Sequence, residues 1–288
     1  AQLAIDTVLE YLRRVKLTNI PEMLESAFQT ANKRVGEVVR RQNNLPLSTT
    51  LAAAAIHNNC LYIANIGNSR IYLVRGGRML LLTVDHTVAY ELITSGRMNT
   101  DQALRQPNAQ QLSRSIGFDP GIVKVDLGLH LQGGGETPEL ARQQQGLELQ
   151  PDDLVLVCSD GLVKPGQADA ANKGPLAGRD EIRKILESNS AQAAAQSLAT
   201  LAAQRLSPDD VTAVILEMPG RALPRPAARL AGTQAPPAKS PVSGTAAREP
   251  ARRRNLLWIS LITFFAFAIL ALLIVAAVLG VSFLKGDV

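Results

Sequence analysis

Asp160 closes the run 154–162, LVLVCSDGL, in which apolar and β-branched residues stop at Ser159-Asp160-Gly161. A short apolar run bounded by an Asp-Gly pair reads as a buried strand ending in a tight turn. Its carboxylate would stand at the mouth of a sheet, with its backbone held by the strand behind it. Such a place suits either a turn aspartate or a metal ligand, and this stretch alone favours the turn. A second place of the same kind shifts the balance: Ser207-Pro208-Asp209-Asp210-Val211-Thr212 leads into another apolar strand, AVILEM. Spacing cannot join the two, because 48 residues lie between them. The three histidines, His57, His86 and His130, show no metal-ligand spacing.

The elements around these turns can be read in order. Apolar residues at helical spacing predict a helix over 2–15 and a second from Pro21 to about Arg41. Pro is well tolerated at a helix start, where its missing N–H has no partner. The segments 48–56, 60–66, 71–74 and 79–82 read as short strands in an antiparallel meander; a short Ala-rich helix over 51–56 is the alternative. A helical stretch is expected from Thr83 to Ser95, stopped by Gly96, and a short one over 100–104. Residues 122–129 alternate like a strand, and 133–145 reads as a polar surface loop. A helical pair over 181–186 and 191–205 precedes the closing strand, 211–217. Strands and helices are segregated, which fits α+β better than a doubly wound sheet.

The net charge of +5 is unevenly spread. Residues 219–254 hold seven Arg and one Lys against one acid, Glu249, which leaves −2 on residues 1–218. A mildly acidic globular part argues against nucleic acid as a partner. The 219–254 stretch is rich in Pro, Ala, Arg and Gly without apolar periodicity, and reads as a disordered linker. After Arg252-Arg253-Arg254 comes an uncharged apolar run, 256–284. As a helix it would span about 43 Å against a hydrocarbon core of roughly 30 Å. A transmembrane helix over 255–284 is therefore expected, followed by a short tail, 285–288. The basic cluster on its N-terminal side puts the globular part on the cytoplasmic face of a single-pass membrane protein. Cys60 and Cys158 lie in apolar runs and read as buried free thiols of a reducing compartment. The chain has no initiator Met and no visible signal peptide, so its natural beginning is expected upstream.

Five motifs now stand in order. Ala64-Asn65-Ile66-Gly67-Asn68-Ser69-Arg70 resembles the A-N-x-G-D-S-R turn of the metal-dependent serine/threonine phosphatases (PPM, type 2C). LLTVDHTVAYELITSGRM is similar to that family's L-T-x-D-H-S segment, and QLSRSIG to its L-T-R-x-L-G. LVLVCSDGL is similar to L-L-C-S-D-G-L, and DDVTAVI to D-N-x-T-V-V; STTL matches a G-T-T strand less specifically. Together they cover about 48–217. The resemblance implies a β-sandwich flanked by helices with a two-metal site at one edge. It implies two divalent cations, Mn²⁺ or Mg²⁺, that activate a water, so no side chain acts as nucleophile. Asp160 and Asp209 would be the metal carboxylates.

Three departures from the family's pattern stand out. Its R-x-x-N-E-D and D-G-x-G-G motifs, which supply a bridging carboxylate, are absent and would precede Ala1; the fragment as it stands is expected to turn over poorly or not at all. Asn68 replaces an Asp that helps hold a third metal in some members, and Asp210 replaces an Asn beside the metal Asp. Asn68 and Asp210 are thus outer or third-metal positions. Ser69, Arg70 and His86 read as structural. The expected function is a membrane-tethered phosphoprotein phosphatase acting on phosphoserine and phosphothreonine, with phosphorylated proteins, and a Ser/Thr kinase or its substrates, as partners. The rival is a catalytically inert regulatory module of the same fold.

Overall fold

A computed structural model describes residues 1–16, 18–42, 47–118, 121, 123–132, 134–163, 177–205, 207 and 209–219. Two helices open the chain, α1 (Gln2–Arg14) and α2 (Ile20–Arg41). The Asn19 side chain caps α2 by accepting the Glu22 N–H, with Pro21 in the first turn. Strands β1 (Leu51–His57) and β2 (Cys60–Ile66) form a tight antiparallel hairpin, with Leu51 opposite Ile66 and His57 opposite Cys60. Asn58 and Asn59 at its tip both have positive φ, the backbone that matches the twist of a two-residue hairpin. The Ala run is thus strand, not helix. Its small side chains allow the pairing, and β2 supplies the bulk.

Strands β3 (Arg70–Arg75) and β4 (Arg78–Leu81) form a second hairpin. The two hairpins do not continue as one meander. β2 lies in a sheet ordered β1-β2-β5, whereas β3 begins another ordered β4-β3-β6-β7. β5 is Leu147–Glu148, β6 is Leu154–Cys158 and β7 is Ala213–Glu217; every pairing is antiparallel. Both faces of the central strands are covered, which explains their near-continuous apolar runs. Leu61 and Ile63 of β2 meet Ile71, Leu73 and Val155 between the sheets. The opposite face of β2, with Ala64 and Ile66, packs on Leu24, Ala27 and Phe28 of α2. Tyr72, Leu154, Leu156 and Cys158 pack outward on α6 (Arg179–Ser188) and α7 (Ala191–Gln204). The result is a helix–sheet–sheet–helix arrangement, α+β as expected.

Other expectations also need correction. The helix expected from Thr83 begins only at Val88: α3 is Val88–Thr94, capped by the Thr87 side chain. Residues 83–87 stay outside the helix, with Asp85 paired to Arg70 and His86 buried. The alternation after residue 122 is real as burial, since Val123, Val125, Leu127 and Leu129 are all buried. Among the described residues it forms no ladder, only a bridge between Asn65 and Asp126. The supposed surface loop before 145 holds a short helix, α5 (Pro138–Gln143), capped by Thr137. There the Gln145 amide accepts the Ile63 N–H (2.9 Å) and donates to the Ile63 carbonyl (2.8 Å), completing β2 as a strand residue would. Helix α4 (Thr100–Leu104) forms as expected. Cys158 is a buried free thiol, but Cys60 is half-buried.

The linker beyond Pro219 and the transmembrane helix expected over 255–284 lie outside the described residues. Among the described residues no helix is long and apolar enough to cross a membrane.

Candidate metal centre

β6 delivers Asp160. The strand ends at Cys158, Ser159 bonds back to β7's lead-in, and Asp160–Leu162 turns sharply as a 3-10 helix. Ser159 N–H donates to the Thr212 carbonyl (3.1 Å), and its Oγ accepts the Thr212 N–H (3.0 Å) while donating to the Asp210 carbonyl (3.0 Å). On the other side Ser207 Oγ donates to the Gly161 carbonyl (2.8 Å). Two serines thus lace the Asp160 turn to the Asp209-Asp210 turn.

Gly161 lets the turns touch. A Cβ there would lie 2.7 Å from the Asp210 carbonyl oxygen and 3.2 Å from the Asp209 Cβ. Any side chain would push the two acidic turns apart. The structure therefore brings Asp160 and Asp209 to one edge of the sandwich. Asp210 also stands there, exposed, contributing its carbonyl to the lacing. Among the described residues no three His, Cys, Asp or Glu side chains converge as a ready-made metal site. The donor chemistry nonetheless fits a hard cation, because Mg²⁺ typically keeps several waters and takes only one or two carboxylates.

Asn68 reaches the same edge from the turn between the sheets. Its Nδ2 donates to Asp160 Oδ2, and the residue is buried. Gly67, before it, has φ +99°, and a Cβ would strike Thr50 Cγ2 at 2.4 Å. Glycine is needed there for backbone and space alike. Ser69 and Thr50 share a hydroxyl hydrogen bond at 2.8 Å.

Arg70 is structural. Its Nε and Nη2 grip both Asp85 oxygens (3.0 and 2.6 Å), and its Nη1 donates to Tyr72 (3.3 Å). Burial opposes the guanidinium charge, but Asp85 outweighs it and raises the Arg70 pKa. Burial also pushes the Cys158 thiol up to about 12, so it is no nucleophile at neutral pH.

A cluster that the sequence did not single out lies behind the turn. Asp126 Oδ2 stands 3.5 Å from both His86 Nε2 and His130 Nε2, and His130 Nδ1 stands 3.6 Å from Glu136. Burial works against the Asp126 charge, yet His130, His86 and the Gly128 N–H (2.7 Å) prevail and hold its pKa well below the carboxylate range. Burial likewise lowers His130's affinity for a proton, but Asp126 and then Glu136 override it and raise its pKa. No local motif announces Asp126 or Glu136. The LTVDH segment was the only signal, and it pointed at His86 alone.

The model of the protein phosphatase 2C family matches residues 3–211. The serine/threonine phosphatase stp of Listeria innocua is 30% identical over 166 residues, 57% of this chain and 56% of that one. The chain spans about half the length of the curated relatives it matches. The PPM Ser-Thr phosphatase MsPP of Mycobacterium smegmatis, solved with cacodylate, is 27% identical with TM-score 0.54, over 75% of this chain and 81% of that one. The PstP catalytic domain, solved with two manganese ions, is 24% identical with TM-score 0.53, over 74% and 78%. With its matched span covering most of the sequence and its acidic turns joined at one sheet edge, the chain belongs to the protein phosphatase 2C family.

Proposed function

We propose that this protein is a phosphoprotein phosphatase that hydrolyses phosphoserine and phosphothreonine with two divalent cations, Mn²⁺ or Mg²⁺, at the edge bearing Asp160 and Asp209. The observation that carries the reading is the seating of Gly161 against Asp209-Asp210, which unites two carboxylates from distant parts of the chain. The relatives' serine/threonine phosphatase names and the two manganese ions of the PstP structure support it. Asp160 and Asp209 would hold the cation, and Asn68 orients Asp160. Bound there, a divalent ion would neutralise phosphoryl charge and activate a water. Arg70, committed to Asp85, does not serve the phosphate. The apolar run 256–284 and its preceding arginines support a membrane anchor with the catalytic part cytoplasmic, near phosphorylated proteins such as a Ser/Thr kinase or its substrates.

In the natural full-length protein, phosphate release from a phosphothreonine peptide should require Mn²⁺. It should fall at least ~100-fold in Asp160→Asn or Asp209→Asn. Release that survives both substitutions, or EDTA, contradicts the reading. The amide of Asn68 on Asp160 favours a second reading, a metal-binding but inert regulatory module. Tight Mn²⁺ binding without any release would select it.

A further inference from the structure

His86 holds the turn that carries Asn68 by both of its central polar groups. The Gly67 N–H donates to His86 Nδ1 (3.0 Å), and the His86 N–H donates to the Gly67 carbonyl (3.0 Å). Because Nδ1 accepts, it carries no proton, so the ring hydrogen sits on Nε2. That hydrogen faces Asp126, whose Oδ2 is 3.5 Å away. At this distance no well-formed hydrogen bond is made, yet the carboxylate selects the same tautomer electrostatically. Asp126 is itself fixed: its backbone exchanges both hydrogen bonds with Asn65 (2.8 and 3.0 Å), and its Oδ1 accepts the Gly128 N–H. Asn65 Nδ2 in turn donates to the Val84 carbonyl (3.0 Å). The His86 side chain is essentially inaccessible, at 0% exposure, so a ring bound on one edge and faced by a carboxylate on the other has little freedom.

We propose that His86, oriented by Asp126, is a positioning residue for the metal centre: it fixes Gly67, and through it the hydrogen bond from Asn68 that orients Asp160 toward a cation. The inference rests on the reading of Asp160 as a metal carboxylate. It extends that reading inward, to a histidine that touches neither metal nor substrate. A residue that merely filled space here would be replaceable by any side chain of similar volume. One that positions must keep an acceptor where Nδ1 lies.

Three substitutions separate the possibilities. His86→Leu keeps much of the volume and removes the acceptor. His86→Asn places its Oδ1 near Nδ1 and keeps it. His86→Gln, whose acceptor oxygen lies near Nε2 rather than Nδ1, serves should His86→Leu fail to fold. Two readouts apply to each folded variant: the Asn68 side-chain amide signal by NMR in the metal-free protein, and the Mn²⁺ dissociation constant by calorimetry. His86→Leu should shift the Asn68 amide and weaken Mn²⁺ about 10–100-fold, the usual effect of removing an outer partner of a metal ligand. His86→Asn should restore most of both, and adding His86→Leu to Asn68→Ala should weaken Mn²⁺ little further, as coupled residues do. An unchanged Asn68 amide with unchanged Mn²⁺ affinity in His86→Leu overturns the positioning role alone. Nitrogen-15 shifts placing the His86 proton on Nδ1 do the same. If the wild type binds no Mn²⁺, or binds it equally in Asp160→Asn, the metal-site reading falls and takes this role with it.

Discussion

Asp126 bears a charge that burial should discourage, and the pair of imidazoles around it explains why the charge stays. The consequence for pH can be signed. His130 has a folded-state pKa above its ordinary 6.5. Its ion pairs with Asp126 and Glu136 therefore stabilise the fold fully below pH 6.5, and that contribution is lost as pH rises through the raised pKa. Asp126, lowered from 3.8, contributes above that pH and loses its effect only as pH falls through the depressed value. Tyr90 also faces this cluster: burial and then Asp126 raise its pKa, so it stays uncharged in the window that matters. Thermal unfolding of wild type and His130→Asn between pH 5 and 9 should show the largest gap near pH 5–6, narrowing steadily above. A gap that widens with pH would contradict the assignment.

At the scale of elements, the centre is a junction of two turns and its tolerance is steric. Gly161→Ala would put a methyl 2.7 Å from the Asp210 carbonyl. Relief requires the β6 turn and the β7 lead-in to separate, at a cost of about 1–3 kcal/mol typical of overpacking. We expect a lower Tm together with weaker Mn²⁺ binding; wild-type values for both would show that the junction is slack. This is also where sequence and structure diverge. LVLVCSDG was legible because a strand buried on both faces writes a continuous apolar run that a turn must end. The partnership of Asp160 with Asp209 was legible only through family resemblance, since a pairing across 48 residues is a property of the fold and leaves no periodic mark. Residues 83–87 were misread as helix because their propensities are local, whereas Arg70 and the Gly67 turn claim Asp85 and His86 from a distance. Gln145 was unreadable for the same reason: a polar side chain that substitutes for a strand looks like loop.

At the scale of the whole molecule, an acidic globular part is followed by a basic stretch and an apolar run long enough to span a bilayer. On the proposed topology, in which the apolar run crosses a membrane, residues 252–254 face the cytoplasm. A reporter fused after residue 288 should read as external, and a cytoplasmic signal would refute that topology. The central claim, however, is that folding creates a cation site from Asp160 and Asp209. Calorimetric titration of the purified chain with Mn²⁺ tests it most directly. Saturable binding is expected in the wild type, weakened at least ~10-fold by Asp160→Asn and by Asp209→Asn, because a neutral amide is a poorer ligand for a hard cation. Binding of equal strength in the wild type and both variants, or no binding in any of them, would contradict it.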